Sequence, residues 1–322
     1  MMAQAPGLTC ICCGGSSFHR FRTIKNYKLY KCDQCGFVRV APLPGVKQLE
    51  EFYNQTRTEG DNKSLRKKLL GAFMGEANNP KRDYFGQVLA KVSTLVNKTK
   101  FDILEIGAGF GYFIHYANTS GHKAIGTEMT REYAEMSSED LNGKIIHVEG
   151  DRYADHFAPA SVDLIYMEHV FEHVLHPQEL LVQIKRMLKP GGVFFVAVPN
   201  INSMSSKFFG KHWSWGAPPD HLYFYNPENL SLLLQRNGFE IIDVSAKDYP
   251  HRSIPQLYSL RKIFNIVRKL TGRKPKPYSY RYPVKFGDFI TLLPYYIFNP
   301  FIRRANKNNK GNELIIFARC PR

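Results

Sequence analysis

The chain is poor in acids at both ends and nearly free of cysteine beyond residue 35. Its 322 residues hold 28 Asp/Glu against 44 Lys/Arg, a formal net charge of +16. Residues 250–310 carry a single acid, Asp288, among 14 Lys/Arg. The start, "MMAQAPGLTCICC", lacks the basic and apolar regions of a secretory leader. No apolar run reaches transmembrane length, and "FITLLPYYIFNPFI" (289–302) is too short and too proline-broken to span a bilayer. Cytosol is therefore the expected compartment. Nothing supports the oxidising setting that a disulfide framework requires.

What is present points to a folded enzyme-sized chain. Aliphatic, aromatic and sulfur residues make up 43% of it, enough to exclude intrinsic disorder. The charge is unevenly spread: 17 Lys/Arg to 7 Asp/Glu over 1–100, 7 to 14 over 101–200, and 20 to 7 over 201–322. An acidic centre between basic flanks suggests that the flanks meet an anionic partner while the centre binds something else.

Five of the six cysteines lie in the first 35 residues. Cys10, Cys13, Cys32 and Cys35 form a C-x2-C-x18-C-x2-C array, a spacing suited to a zinc ribbon. Four thiolates can occupy the corners of a tetrahedron, two from each knuckle. Cys12 interrupts the first knuckle; Cys10 and Cys13 are taken as ligands because they repeat the C-x-x-C-G form of Cys32–Gly36. Cys320 reads as a plain strand-end thiol.

Residues 101–198 alternate apolar runs with amphipathic segments, the pattern of a βαβ domain. Strands are expected at 101–106, 123–128, 144–149, 162–167 and 192–198, with helices near 112–119, 130–139 and 177–188. The first strand runs into Glu105-Ile-Gly107-Ala-Gly109-Phe-Gly111, where alternate glycines let backbone approach a ligand at a helix N-terminus. The third glycine comes one residue too soon for the dinucleotide pattern G-x-G-x-x-G. Glu128 closes the second strand, where a carboxylate can accept ribose hydroxyls. Asp151 closes the third, where one can accept an adenine amino group.

These stretches, with "VDLIYMEHVFEHVLHP", "LKPGGVFFVAVPN" and "DHLYFYNPENLSLLLQRNGFEII", resemble the Rossmann-like S-adenosylmethionine-dependent methyltransferases, in the branch of the ubiquinone-biosynthesis O-methyltransferases. The likeness covers 101–245. It implies a seven-stranded α/β sheet with an antiparallel last strand, for which "NELIIFARC" (312–320) is the candidate. It also implies that Glu105, Gly107, Gly109 and Gly111 hold the methionine end of S-adenosylmethionine, Glu128 its ribose and Asp151 its adenine. Glu168, at the fourth strand end, would face the cofactor's methionine. The leader "YKCDQCGFVRVAPLP" resembles the zinc ribbon on many methyltransferases of this branch, including sugar C-methyltransferases, over residues 1–54.

The expected organisation is a zinc ribbon over 1–45, a helical connector over 46–100, the methyltransferase core over 101–246, a basic amphipathic insertion over 247–311 and the final strand over 312–322. "EHVFEHV" contains His169-x-x-Glu172-His173, an inverted zinc-protease pattern, but a strand ends just before it and Pro177 follows closely. That leaves too little helix for a protease. Two readings stay open: Glu172 and His173 tie the loop to the sheet, or His169 acts as a base or substrate clamp. In "HWSWGAPPDHLYFYN" (212–226), Asp220 or His221 could accept a proton while Trp213, Trp215 and Tyr223 pack on a substrate ring. The resemblance favours His221 as the base, with His169 second.

The insertion holds "LYSLRKIFNIVRKL" (257–270), apolar on one helical face and basic on the other. A peripheral membrane contact through 250–310, a lid or homodimer interface, and nucleic-acid binding are the readings it allows, nucleic acid ranking last. The expected activity is methyl transfer to a hydroxyl or activated carbon of a sugar, glycolipid or small biosynthetic intermediate. RNA methylation and a non-catalytic binding module are the alternatives, and the absence of an N/D-P-P-Y/F motif speaks against the former.

Overall fold

The computed structural model describes residues 7–49, 51–52, 80–131, 133–135, 144–148, 152–213, 215–248 and 304–321. Asp151, most of the connector (53–79) and most of the insertion (249–303) lie outside the described residues, as do the expectations placed on them.

Seven strands make the central sheet: β4 (Asp102–Ile106), β5 (Lys123–Glu128), β6 (Lys144–His147), β7 (Val162–Glu168), β8 (Leu188–Pro199), β10 (Glu240–Lys247) and β11 (Glu313–Arg319). Their order is β10-β11-β8-β7-β4-β5-β6. β4 to β8 pair in parallel, and β11 runs antiparallel to both of its neighbours. The expected seven-stranded α/β sheet is therefore present. Strands buried on both faces read as continuous apolar runs, which is why "DILEI", "VDLIYM" and "ELIIFA" carry so few polar positions.

Alternation along each strand divides two cores. Leu104, Ile165, Phe194, Val196 and Ile316 pack against α3 (Pro177–Met187) and α5 (Pro227–Arg236). Ile103, Leu164, Tyr166, Phe195 and Phe317 face the opposite way, against α1 (Pro80–Val96) and α2 (Tyr112–Thr119). Tyr166 lies flat between Phe113 (3.9 Å) and Phe195 (4.6 Å), which locks the middle of β7. Each fully buried aromatic of this kind stabilises the fold by roughly 2–3 kcal/mol.

A second, four-stranded antiparallel sheet forms from β1 (Phe18–Ile24), β2 (Tyr27–Cys32), β3 (Val38–Val40) and β9 (Tyr223–Phe224). Its fourth strand comes from the part of the chain that builds the central sheet, so the cysteine-bearing leader is stitched to that part. Arg236 donates to the Cys13 carbonyl (2.6 Å) and Asn229 to that of Cys35 (3.3 Å). Arg22 donates to the carbonyls of Ser206 (3.0 Å) and Gly210 (3.3 Å), which holds α4 (Met204–Phe209). No helix among the described residues is long and apolar enough to cross a membrane.

Candidate active site

The order of the central sheet reverses between β4 and β7, and open α/β sheets bind ligands outside the carboxyl ends of the strands at such a point. Glu105 lies near the end of β4 and the glycine loop follows it, Glu128 ends β5, and Glu168 ends β7. The fold thus gathers every described residue expected to hold the cofactor at one edge.

The glycine loop is a built cradle. Gly107 takes φ +77° and a Cβ there would lie 2.4 Å from Val170 Cγ2, so only glycine fits. Gly107 and Ala108 both donate to the Thr127 carbonyl (2.9 and 2.8 Å), which pins the loop over β5. Gly111, also left-handed at φ 71°, caps α2 with no side-chain bond to its first turn. The positive end of the α2 dipole favours an electron-rich ligand at this point.

Glu105 is buried, and its Oε2 has no hydrogen-bond partner among the described residues. Burial, then the nearby charge of Glu168, pushes its carboxyl well above the usual range, with Lys81 opposing. An orphaned buried carboxylate oxygen beside this cradle suits a ligand ammonium, as an amino-acid moiety would supply. Glu128 accepts from the amides of Gly109 (3.0 Å) and Thr130 (3.1 Å), so its carboxylate is already fixed in place.

The other half of the site is a knot of imidazoles around one carboxylate. Glu172 is fully buried, and its Oε1 lies 3.6 Å from His169 Nδ1, 3.8 Å from His173 Nε2 and 3.9 Å from His221 Nε2. Burial alone would raise its carboxyl; the charge of His173 and the contact with His169 outweigh that and hold it low. Asp220 is drawn to His173, whose Nδ1 donates to its carbonyl (2.7 Å) and its Oδ1 (3.0 Å). Burial alone would lower His173; Glu172 and Asp220 outweigh it and raise the ring.

His221 and His169 differ in a way that bears on chemistry. The Nδ1–H of His221 donates to the Trp215 carbonyl at 2.7 Å, so the neutral ring carries its lone pair on Nε2. Burial, reinforced by the charge of His173, holds it down at about 4. His169 instead bonds Glu313 Oε1 through Nε2 at 2.7 Å and faces Glu172 through Nδ1. Burial works against its charge, but the two carboxylates prevail and raise it to about 9.

Of the aromatics expected on a substrate ring, Trp215 alone lies against the site, stacked on His169 at 4.7 Å. Trp213 is 2% exposed and donates to Asn312 (3.3 Å) inside the core of the small sheet. Tyr223 is equally buried, stacked on Phe37 and bonded to the Leu175 carbonyl. Both help join the two sheets, because β9 runs through this stretch. Glu313 is the site residue that the sequence concealed, since it opens a strand and belongs to no motif.

At the leader, the sulfurs of Cys10, Cys13, Cys32 and Cys35 lie within 4.8 Å of one another. Cys10 and Cys35 are 3.5 Å apart, and Cys13 and Cys32 3.6 Å. A tetrahedral zinc with bonds of about 2.3 Å sets its thiolates about 3.8 Å apart. The four thiols therefore suit such an ion, while Cys12 is buried outside the set.

The family described as "Methyltransferase domain" matches residues 78–244, just over half of the chain. The chain belongs to this methyltransferase family. Among curated proteins, it is 29% identical to a probable S-adenosylmethionine-dependent methyltransferase of Mycolicibacterium smegmatis, over 44% of this chain and 53% of that protein. It is 23% identical to C-methyltransferase NovU of Streptomyces niveus, over 47% of this chain and 36% of that one. A ubiquinone biosynthesis O-methyltransferase of Azoarcus sp. is 23% identical over 53% of this chain and 77% of its own length. The matched region spans about half of the first relative and about a third of the second. Residues 78–244 are thus a methyltransferase domain, and the relatives they match include proteins named for transfer to oxygen and to carbon.

Proposed function

We propose that this methyltransferase moves a methyl group to a hydroxyl or an activated carbon of a sugar, glycolipid or small biosynthetic intermediate, with His221 as the base. The observation that carries this reading is the His221–Trp215 hydrogen bond, which leaves a buried, neutral imidazole with its lone pair on Nε2. His169, charged at neutral pH and engaged by carboxylates, is a poor base and a better fixed cation.

When bound, S-adenosylmethionine supplies a methyl on a sulfonium, a reaction that needs chiefly an aligned nucleophile. Glu105 would hold the ammonium of its methionine end, the loop from Gly107 to Gly111 would lie beneath it, and Glu128 would accept from the ribose. On the acceptor side, His221 Nε2 takes the departing proton. Glu172, 3.9 Å away, offsets the charge that the imidazole then acquires. Asp220 keeps His173 turned toward the same carboxylate. The names of the carbon-directed and oxygen-directed relatives support both acceptor types.

The four leader thiolates are assigned to a structural zinc, which would brace the small sheet against α5. The deciding experiment offers radiolabelled S-adenosylmethionine with sugar nucleotides, with glycolipid extract and with total RNA. Label in the first or second supports the proposal, and label in RNA alone overturns it.

A further inference from the structure

We infer that Glu313 is a positioning residue of the transfer reaction, holding His169 so that its ring and the indole of Trp215 form one fixed wall on the acceptor side. This rests on reading the β7 end as the place where cofactor and acceptor meet.

β11 is the one strand of the parallel region's neighbourhood that runs the other way, so its first residue arrives where its neighbour's last one ends. Glu313 pairs with Pro199 of β8 and Lys247 of β10. A carboxylate 3% exposed is thereby delivered to the ligand edge of the sheet. There Glu313 Oε1 meets His169 Nε2 at 2.7 Å, the length of a charge-assisted hydrogen bond.

His169 is itself held in an unusual state. Its φ is +56°, sparsely populated by residues with a Cβ, while its amide still bonds the Ala197 carbonyl at 2.8 Å. Such conformations persist where the surroundings over-determine them, and they cluster at functional sites. The imidazole stacks on Trp215 at 4.7 Å and 23°. The same indole lies 6.5 Å from the ring of His221, and its residue's carbonyl accepts from His221 Nδ1. One mechanical chain therefore runs from Glu313 through His169 and Trp215 to the proposed base.

The charged groups facing His169 are Glu313 from β11, Glu172 from the turn after β7 with His173 and His221 behind it, and Glu168, which lies within 4.8 Å of both His169 and Glu313. Glu172 is too distant at 3.6 Å for a good hydrogen bond, whereas Glu313 bonds the ring directly at 2.7 Å.

The test needs no acceptor. Histidine labelled with carbon-13 at Cε1 is followed by NMR across pH, with His169 assigned by its loss in His169→Gln. Near-ultraviolet circular dichroism reads the Trp215 stack, and calorimetric titration with S-adenosylmethionine checks the fold. In Glu313→Gln, the proton affinity of His169 should fall about tenfold or more, one pH unit of midpoint. The Trp215 band should weaken, while measurable S-adenosylmethionine binding shows that the variant is folded. Glu313→Asp, which keeps the charge one methylene back, should give an intermediate shift. A His169 midpoint and Trp215 band unchanged in Glu313→Gln overturn the inference. If that variant binds no cofactor, an unchanged midpoint in Glu313→Asp overturns it instead. Failure of the parent protein to bind S-adenosylmethionine would count against the site reading, not against the Glu313–His169 pair.

Discussion

His221 and Trp215 are joined by one hydrogen bond that decides where a lone pair sits: Nδ1–H donates to the Trp215 carbonyl at 2.7 Å, leaving Nε2 free to accept. His169, stacked on the same indole at 4.7 Å, has its Nε2 committed to Glu313. The two histidines are therefore not interchangeable. His221→Gln should lower transfer of radiolabelled methyl into source-cell extract by about 10²–10⁴-fold, the usual contribution of a general base. His169→Gln should lower it less, and both variants should still bind S-adenosylmethionine measurably in calorimetric titration. A His221→Gln enzyme at the parental rate would remove it from the mechanism.

The leader cysteines make a separate prediction. Because Cys10, Cys13, Cys32 and Cys35 converge and Cys12 does not, metal analysis should find one zinc per chain in the parent and in Cys12→Ala. Cys13→Ser or Cys35→Ser should lose it. The Cys13 and Cys35 carbonyls accept from Arg236 and Asn229 of α5, so the loss should spread beyond the leader. A lower melting temperature of the whole protein on chelation is expected, since binding energy of a structural zinc is folding energy. Full zinc content in Cys35→Ser would refute the four-thiolate assignment.

Much of the central sheet was legible because buried parallel strands write their burial into the sequence. The strands expected at 101–106, 123–128 and 162–167 appear at Asp102–Ile106, Lys123–Glu128 and Val162–Glu168. The glycine loop was legible for a similar reason, since a Cβ at Gly107 has nowhere to go. Contacts with no local signature stayed hidden. β9 is two residues long, too short for any period, and is defined only by pairing with Val38 and Arg39. Trp213 and Tyr223 look like site aromatics in sequence, but Tyr223 is claimed by that pairing and Trp213 by the apolar core of the small sheet and Asn312. The Glu313–His169 bond joins residues 144 apart, and only the antiparallel turn of β11 brings them together.

The glycine loop itself offers a graded test. Gly107→Ala combines a left-handed backbone with a contact of 2.4 Å to Val170, whereas a Cβ at Gly109, φ +51°, meets nothing within 4 Å among the described residues. Gly109→Ala should therefore cost about 1 kcal/mol from backbone strain alone. Gly107→Ala should cost more, about 2–4 kcal/mol, and abolish measurable S-adenosylmethionine binding. Chemical denaturation and calorimetric titration would read both. Equal losses in the two variants would show that backbone conformation, not the Val170 contact, limits the loop.

Proton linkage gives the last prediction, because His169 and His221 move in opposite directions from an ordinary value near 6.5. His169 is raised to about 9 by Glu172 and Glu313 against the effect of burial, so the folded protein binds its proton more tightly than the unfolded chain. That stabilisation is complete below about pH 6.5 and is lost as pH rises through about 9. His221 is lowered to about 4 by burial and by His173, so the folded protein resists its protonation. Stability tied to its neutral form is present above about pH 6.5 and is lost as pH falls toward 4. Melting temperature followed from pH 4 to 9.5 should thus fall at both ends. His169→Gln should flatten the alkaline limb and spare the acid one, and His221→Gln should do the reverse. If both substitutions flatten the same limb, the assignment of protons around Glu172 is wrong, and with it the choice of His221 as base.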